Sequence, residues 1–165
     1  MNYIMEPQAI ETKSMEIIGA YLTGMNLNEQ AVKVYSRIIH ASGDPDYAKI
    51  ISIHPDALAV GLQALKQGKP IYCDVEMVRT GINKRKLAEF GGEVHCLIAD
   101  PSIAEQAKQA GITRSMAAMR TFADKLDGAA QQSPVPYITV HGNKGGSPIA
   151  AATINAMLYM LSNTR

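Results

Sequence analysis

Short apolar runs that alternate with helix-like segments limit most strongly how this chain can fold. Four runs rich in β-branched and other apolar residues predict strands: Lys49–His54, Pro70–Val75, Val94–Ala99 and Tyr137–Val140. Between them, apolar side chains recur at three- and four-residue steps, which is typical of amphipathic helices. Apolar strands that alternate with helices indicate a parallel sheet buried on both faces. The predicted fold is therefore α/β, a Rossmann-like parallel sheet with helices on both faces.

The predicted helices have recognisable ends. Pro7 begins a helix that runs to about Leu22, because proline suits the first helical position. Asn28 caps the next helix, which Gly43 and Asp44 end. The remaining predicted helices are Ala57–Gln67, Glu76–Ile82 (a loop or short helix), Asn83–Phe90, Ile103–Gln109, Met116–Leu126 and Pro148–Leu161.

Length and composition restrict the class of protein. With 165 residues, 47% of them hydrophobic and 19% charged, the chain suits a single globular domain. A net charge of +1 and the absence of Trp argue against a nucleic-acid partner. Cys73 and Cys96 lie in apolar runs, so we expect small core residues of a reduced, cytoplasmic protein. No apolar run is long enough to cross a membrane, and the N-terminus lacks a signal-peptide pattern.

Loops that follow predicted strands should meet at one rim of the sheet, where such folds bind ligands. These loops are Asp74–Gly81, Ala99–Ser102 and His141–Ser147. Arg79, Arg114 and Lys144 lie in or beside loops of this kind, and converging cations suit a polycarboxylate or phosphate ligand. The alternative is that each cation is simply solvated, as most surface Arg and Lys side chains are.

The glycine-rich loop Gly142–Ser147 precedes a helix, where backbone N–H groups can hold an anion. A tight turn with close strand–helix packing explains the same residues equally well. The loop matches neither the Walker pattern nor the full dinucleotide fingerprint, which disfavours a nucleotide-dependent enzyme.

His40 is the candidate acid–base residue. It lies in the last turn of the predicted second helix, where the negative end of the macrodipole favours the protonated imidazole. A capping or packing histidine is the alternative. The other histidines, His54, His95 and His141, show no metal-ligand spacing with one another or with the cysteines, so no metal site is predicted.

Several short stretches form a series along nearly the whole chain. They are Tyr3-Ile4 with Pro7; Arg37-Ile38-Ile39-His40; Asp74-Val75-Glu76-Met77-Val78 with Gly81-Ile82-Asn83-Lys84-Arg85; Phe90-Gly91-Gly92-Glu93; Gly111-Ile112-Thr113-Arg114-Ser115; and Lys144-Gly145-Gly146-Ser147. The series resembles the precorrin-8X methylmutase (precorrin isomerase) family, and most closely its cobalt-precorrin-8 form.

The resemblance implies an isomerase that moves a methyl group between adjacent ring C carbons of the tetrapyrrole (cobalt-)precorrin-8. The product would be cobyrinic or hydrogenobyrinic acid, made without a cofactor by a homodimer whose site lies near the subunit boundary. The family's catalytic histidine falls on His40, as general acid. Its binding residues fall on Ser14, Thr80, Gly81, Arg114 and Ser115. The chemistry of the many substrate carboxylates adds Arg37, Arg79 and Lys144.

One departure separates this chain from the family pattern. After about Ala129 the family usually continues through a strand, a helix and a second strand, whereas this single domain of residues 1–165 passes directly into Gln131. Either the protein is a shortened form, or the sequence omits a segment. Losing those strands should shorten the sheet and remove part of the substrate rim. A tetrapyrrole-binding homologue without catalysis is therefore the alternative function.

Overall fold

Helices dominate the described part of the chain, in which four strands of three residues form two separate pairs. The computed structural model describes residues 3–125 and 135–162. The helices are α1 (Pro7–Leu22), α2 (Glu29–Ser42), α3 (Ala57–Lys66), α4 (Glu76–Gly81), α5 (Lys84–Ala88), α6 (Pro101–Ala110), α7 (Arg114–Lys125) and α8 (Ser147–Ser162), with a 3-10 helix at Pro45–Lys49. The strands are β1 (Ile51–Ile53), β2 (Ile71–Cys73), β3 (Val94–Cys96) and β4 (Ile138–Val140).

The helix ends follow the local chemistry of the sequence. Pro7 occupies the start of α1, and the Asn28 side chain accepts a hydrogen bond from the backbone N–H of Ala31 at 2.8 Å. Gly43 ends α2 in the left-handed conformation with φ of 64°. These predicted ends are confirmed. The predicted end of the seventh helix at Leu126 and the junction after Ala129 lie outside the described residues.

A single Rossmann-like parallel sheet is not confirmed. Strands β2 and β3 are parallel, with Cys73 beside Cys96, but β1 and β4 form a separate antiparallel pair, with Ile51 beside Val140. The apolar runs were long enough to indicate burial. They carry no information on which strand pairs with which, or in which direction.

The direction of β4 corrects the prediction that three loops gather at one rim. Because β4 runs antiparallel to β1, the glycine-rich loop that follows it lies at the beginning of β1. There the backbone N–H of His141 donates to the carbonyl of Ile50 at 2.8 Å. The parallel strands β2 and β3 end at a common edge, so the loops that begin at Asp74 and Leu97 remain neighbours.

Helix α8 is at the centre of the main core, where α2, α3, α4 and α5 pack against it. Val34 and Ile38 of α2 and Leu158 of α8 have no exposed surface. Full burial of an aliphatic side chain of this size contributes about 1.5–3 kcal/mol to stability. Helices α6 and α7 share a smaller core of Ile103, Ala107, Ala117 and Ala118. No helix in the described part of the chain is both long and apolar enough to cross a bilayer.

Candidate active site

Ser14 and His40 line one small pocket between α1 and α2. Its volume is about 230 Å³, and Tyr21, Gly43 and Pro45 complete much of its wall. His40 lies in the last turn of α2, three residues before the left-handed Gly43 that turns the chain away. Its side chain is exposed at the end of a rigid helix, while Ile38 and Ile39 before it are buried. The arrangement presents an imidazole to solvent and to any molecule that enters the pocket.

Lys144 of the glycine-rich loop is bound to the segment that follows His40. Its ammonium nitrogen lies 2.6 Å from Oδ2 of Asp44 and 4.0 Å from Oδ2 of Asp46. The hydrogen bond with Lys144 holds the pKa of the Asp44 carboxyl below its ordinary value, and the same bond raises the pKa of the Lys144 ammonium. The antiparallel direction of β4 thus brings this predicted cation to the end of α2 that carries His40.

Arg37 lies one turn before His40 on α2 and is held by both neighbouring helices. Its guanidinium donates to a carboxylate oxygen of Glu11 on α1 at 3.1 Å. It also lies 4.7 Å above the ring of Tyr159 on α8, in cation–π geometry. Arg37 and Tyr159 line a second pocket of about 360 Å³, distinct from the pocket of His40.

Thr80 and Gly81 end α4 where it meets α8. The Asn155 side chain of α8 donates to the carbonyl of Gly81 at 2.9 Å and accepts from the backbone N–H of Asn83 at 2.8 Å. A Cβ at position 81 would lie 2.8 Å from the Cβ of Ala151, so close helix packing requires glycine there. Gly81 therefore has a structural role whatever its part in binding.

Arg79 pairs with a carboxylate one turn earlier on the same helix. Its Nε donates to Oε2 of Glu76 at 2.6 Å, and both side chains are partly exposed. Glu76 also contributes to raising the pKa of Cys96, although burial is the larger cause. The Arg79 charge is thus balanced within the protein.

Arg114 and Ser115 begin α7 beside the carboxyl end of β2. The hydroxyl of Ser115 donates to the carbonyl of Asp74 at 3.4 Å, which links α7 to the loop that leads into α4. Arg114 is exposed.

The predicted site residues consequently fall into two groups. His40, Ser14, Arg37 and Lys144 lie on or against α1, α2 and the loop after α2. Arg79, Thr80, Gly81, Arg114 and Ser115 lie on α4 and the start of α7.

Two residues that the sequence analysis missed connect these groups. Asn155 and Tyr159 are one turn apart on α8, and the Tyr159 hydroxyl accepts from Asn83 at 3.3 Å while its ring lies under Arg37. The signal available in the sequence was a pair of polar side chains one helical turn apart on a largely apolar helix. Within residues 3–125 and 135–162, no group of three or more His, Cys, Asp or Glu side chains could hold a metal ion.

Comparisons with known proteins agree on one family. The family model described as Precorrin-8X methylmutase matches residues 9–131 and 128–160. The cobalt-precorrin-8 methylmutase of Salmonella typhimurium is 34% identical over 210 aligned positions, which cover 98% of this chain and 99% of that protein. The cobalt-precorrin-8 methylmutase of Priestia megaterium is 29% identical, covering 93% of this chain and 88% of that protein.

Solved structures share the fold. The structure of precorrin-8X methyl mutase from Thermus thermophilus superposes with a TM-score of 0.81 at 24% identity, covering 95% of this chain and 97% of that one. A structure described as a precorrin-8X methylmutase related protein gives a TM-score of 0.78 at 26% identity, covering 88% of this chain and 99% of that one. With both family-model segments together spanning residues 9–160, the chain belongs to the precorrin-8X methylmutase family.

Proposed function

We propose that this chain is a methylmutase that moves a methyl group between adjacent ring C carbons of (cobalt-)precorrin-8 in cobalamin biosynthesis. The observation that carries the proposal is the family match across nearly the whole chain, since relatives at up to 34% identity are named as methylmutases of this substrate. The exposed imidazole of His40 beside Ser14 supports it, because the reaction needs a proton donor at the rim of a cleft.

His40 acts as the general acid in this proposal. Protonation of the conjugated macrocycle draws electron density away from the ring carbon that bears the methyl group. The bond from the methyl group to that carbon breaks as the bond to the adjacent carbon forms on the same face. The proton then returns to His40, so substrate and product have the same composition. An acid of this kind contributes about 10²–10⁴ to the rate.

The substrate carboxylates bind the two groups of predicted residues. Arg37 and Lys144 bind carboxylates on the part of the macrocycle nearest His40. Substrate carboxylates compete with Glu11 for Arg37 and with Asp44 for Lys144. The more distant carboxylates bind to Arg79, Thr80, Gly81, Arg114 and Ser115. The partly exposed side chains of the ion pairs support this exchange of partners, since such pairs are individually weak.

A homodimer completes the site. The His40 pocket of about 230 Å³ is smaller than the roughly 300–1,000 Å³ of ordinary small-molecule sites, so only an edge of the macrocycle enters it. Apolar side chains of α1 beside this pocket, Ile10, Ile17 and Tyr21, are each about half exposed. Covering this stripe with the partner subunit would add a wall to the cleft. We place the enzyme in the cytoplasm, where the free thiols Cys73 and Cys96 stay reduced.

The chain forms one domain in this proposal, and its two strand pairs are parts of an interrupted Rossmann-like sheet. The 210 positions aligned with the Salmonella typhimurium protein exceed the 165 residues of this chain, so at least 45 positions stand opposite gaps in it. The separation of the strand pairs favours a second candidate function, a homologue that binds the tetrapyrrole without converting it.

Turnover and product binding of a His40→Ala variant test the proposal. We expect turnover to fall about a hundredfold or more while optical titration shows product binding within a few-fold of wild type. His95→Ala is the matched control, because that histidine pairs with Glu93 and stacks on Tyr72 away from the pocket. Normal turnover by His40→Ala would contradict the role of His40. Product binding by wild type without turnover would establish the second candidate.

A further inference from the structure

The pocket beside Arg37 lies between helices α1, α2 and α8. Its volume of about 360 Å³ falls within the roughly 300–1,000 Å³ of ordinary small-molecule sites. Much of its wall is apolar and consists of Met15, Gly19, Val32, Ala156 and Met160. None of these residues lines the pocket of His40, so the two pockets are separate sites.

The guanidinium of Arg37 has donors to spare at the rim of this pocket. Among the described residues it donates one hydrogen bond, from Nη2 to Oε1 of Glu11 at 3.1 Å. A guanidinium carries five N–H donors, and its pairs with carboxylates often use two of them in parallel. Ser36 also lines the pocket, and its hydroxyl is a further donor. The rim can therefore bind a carboxylate more completely than Glu11 fills it.

Tyr159 holds the guanidinium in place without the help of Glu11. The Arg37 guanidinium lies 4.7 Å from the centre of the Tyr159 ring, and the Tyr159 hydroxyl accepts a hydrogen bond from the Asn83 side chain at 3.3 Å. A cation that is already oriented loses less conformational freedom when a ligand binds. Arg37 thus remains directed at the pocket when its internal partner leaves.

The pair of Arg37 with Glu11 is open to exchange. The two side chains are 26% and 46% exposed, and ion pairs as accessible as this contribute little to stability. The charged side chains among the described lining residues are Arg37, Lys33 and Glu11, which leaves one excess positive charge. A carboxylate from outside the chain can therefore displace that of Glu11.

We propose that this pocket binds an aliphatic carboxylate and that Glu11 occupies the position of its carboxylate in the free protein. The carboxylate of the ligand binds Arg37 and Ser36, and its hydrocarbon part packs against Met15 and Met160. Two sources have this chemistry: a carboxylate side chain of the tetrapyrrole, or a free short-chain fatty acid. The first source rests on the proposed function, whereas the second does not depend on it.

Titration of the full chain with hexanoate tests the site directly. Methionine labelled with carbon-13 in its methyl group gives NMR signals for Met15 and Met160, which line the pocket. We expect saturable shifts of these two signals and an unchanged signal from Met77, which is 66% exposed and lies outside the pocket. Hexanol, which has the same chain without the charge, should bind about tenfold more weakly or worse. Unchanged signals of Met15 and Met160, equal affinity for hexanol, or an equal response of Met77 would each overturn the proposal.

Two variants separate a ligand site from a structural ion pair. Arg37→Ala should lower the affinity for hexanoate about tenfold or more, because a charge-assisted bond is lost. Glu11→Gln should instead raise it, by up to about fivefold, because Arg37 loses its internal competitor. Glu16→Gln is the matched control, since Glu16 is exposed on the same helix and pairs with Lys13 at 3.0 Å.

The sign of the Glu11 effect decides the case even where Arg37→Ala fails to fold. Affinity of Glu11→Gln for hexanoate that is equal to or lower than that of Glu16→Gln would overturn the proposal.

An optical titration with hydrogenobyrinic acid, with and without saturating hexanoate, distinguishes the two sources. Competition between them would identify a tetrapyrrole side chain as the occupant, whereas independent binding would identify a free fatty acid. Absence of any tetrapyrrole binding would contradict the proposed function, while saturable binding of hexanoate beside Met15 and Met160 would still establish the site.

Discussion

Asn155→Ala should destabilise the protein by removing two bonds that fasten the end of α4 to α8. The Asn155 amide donates to the carbonyl of Gly81 at 2.9 Å and accepts from the N–H of Asn83 at 2.8 Å. Each net hydrogen bond is worth about 0.5–1.5 kcal/mol, so we expect a loss of about 1–3 kcal/mol. For a chain of this length each kcal/mol lowers the unfolding temperature by about 2–4 °C.

Urea denaturation at pH 7 measures this loss as a change in midpoint with an unchanged m-value. Gln63→Ala, on an exposed position of α3, is the control and should stay within about 0.5 kcal/mol of wild type. Asn155→Asp refines the test. Its carboxylate keeps the bond from Asn83 but faces the carbonyl of Gly81 without a proton to donate, so stability should recover at low pH relative to wild type.

Two results would refute this reasoning. One is an Asn155→Ala variant whose free energy of unfolding lies within about 0.5 kcal/mol of wild type, which would mean that water replaces both bonds at no cost. The other is an Asn155→Asp variant as stable as wild type at pH 7, which would mean that the bond to Gly81 contributes nothing. Either result would mean that Asn155 does not hold the end of α4 against α8.

Three further predictions concern other parts of the molecule. Asp44 has a lowered pKa in the folded state. Its stabilising contribution is therefore present above its unfolded pKa of about 3.9 and is lost as pH falls through the folded value. In Asp44→Asn, the free energy of unfolding should depend less on pH over this acid range. The pKa of Cys73 is raised to about 11, and burial is the largest cause of this shift. The rate of its alkylation by iodoacetamide should therefore keep rising above pH 9 instead of levelling off near pH 8.5. Peptide mass spectrometry measures this rate. Leu158→Ala removes a side chain with no exposed surface and should cost about 2–5 kcal/mol in urea denaturation, whereas Met77→Ala, at a position 66% exposed, should cost much less.

The parts of the fold that local chemistry determines could be predicted from the sequence. Helix α1 begins at Pro7 and ends at Leu22, as predicted, and Asn28 and Gly43 bound α2 through a side-chain cap and a left-handed turn. These signals act within a few residues of the backbone that they shape. The positions of the strands were also predictable to within a few residues, because short apolar runs report burial.

Strand pairing could not be predicted in the same way. The run that becomes β4 is apolar and follows a helix, a pattern that is equally consistent with a parallel neighbour. Its antiparallel register with β1, Ile51 beside Val140, depends on contacts almost ninety positions apart in the chain. The ion pair of Lys144 with Asp44 joins residues separated by 100 positions, and no local sequence pattern predicts it.

The direction of one short strand therefore decides how the candidate site is assembled. Had β4 been parallel to β1, the glycine-rich loop would follow the other end of β1, away from Asp44 and the end of α2 that carries His40. Because β4 is antiparallel to β1, the loop returns to the end of α2, and Asp44 binds Lys144 four residues after His40. The cations predicted to converge at one rim instead have separate partners: Lys144 binds Asp44 after α2, Arg37 lies over Tyr159 of α8, and Arg79 pairs with Glu76 of α4. Asn155 and Tyr159, four residues apart on α8, join the Arg37 contact to the end of α4, so the two groups of predicted residues share one helix.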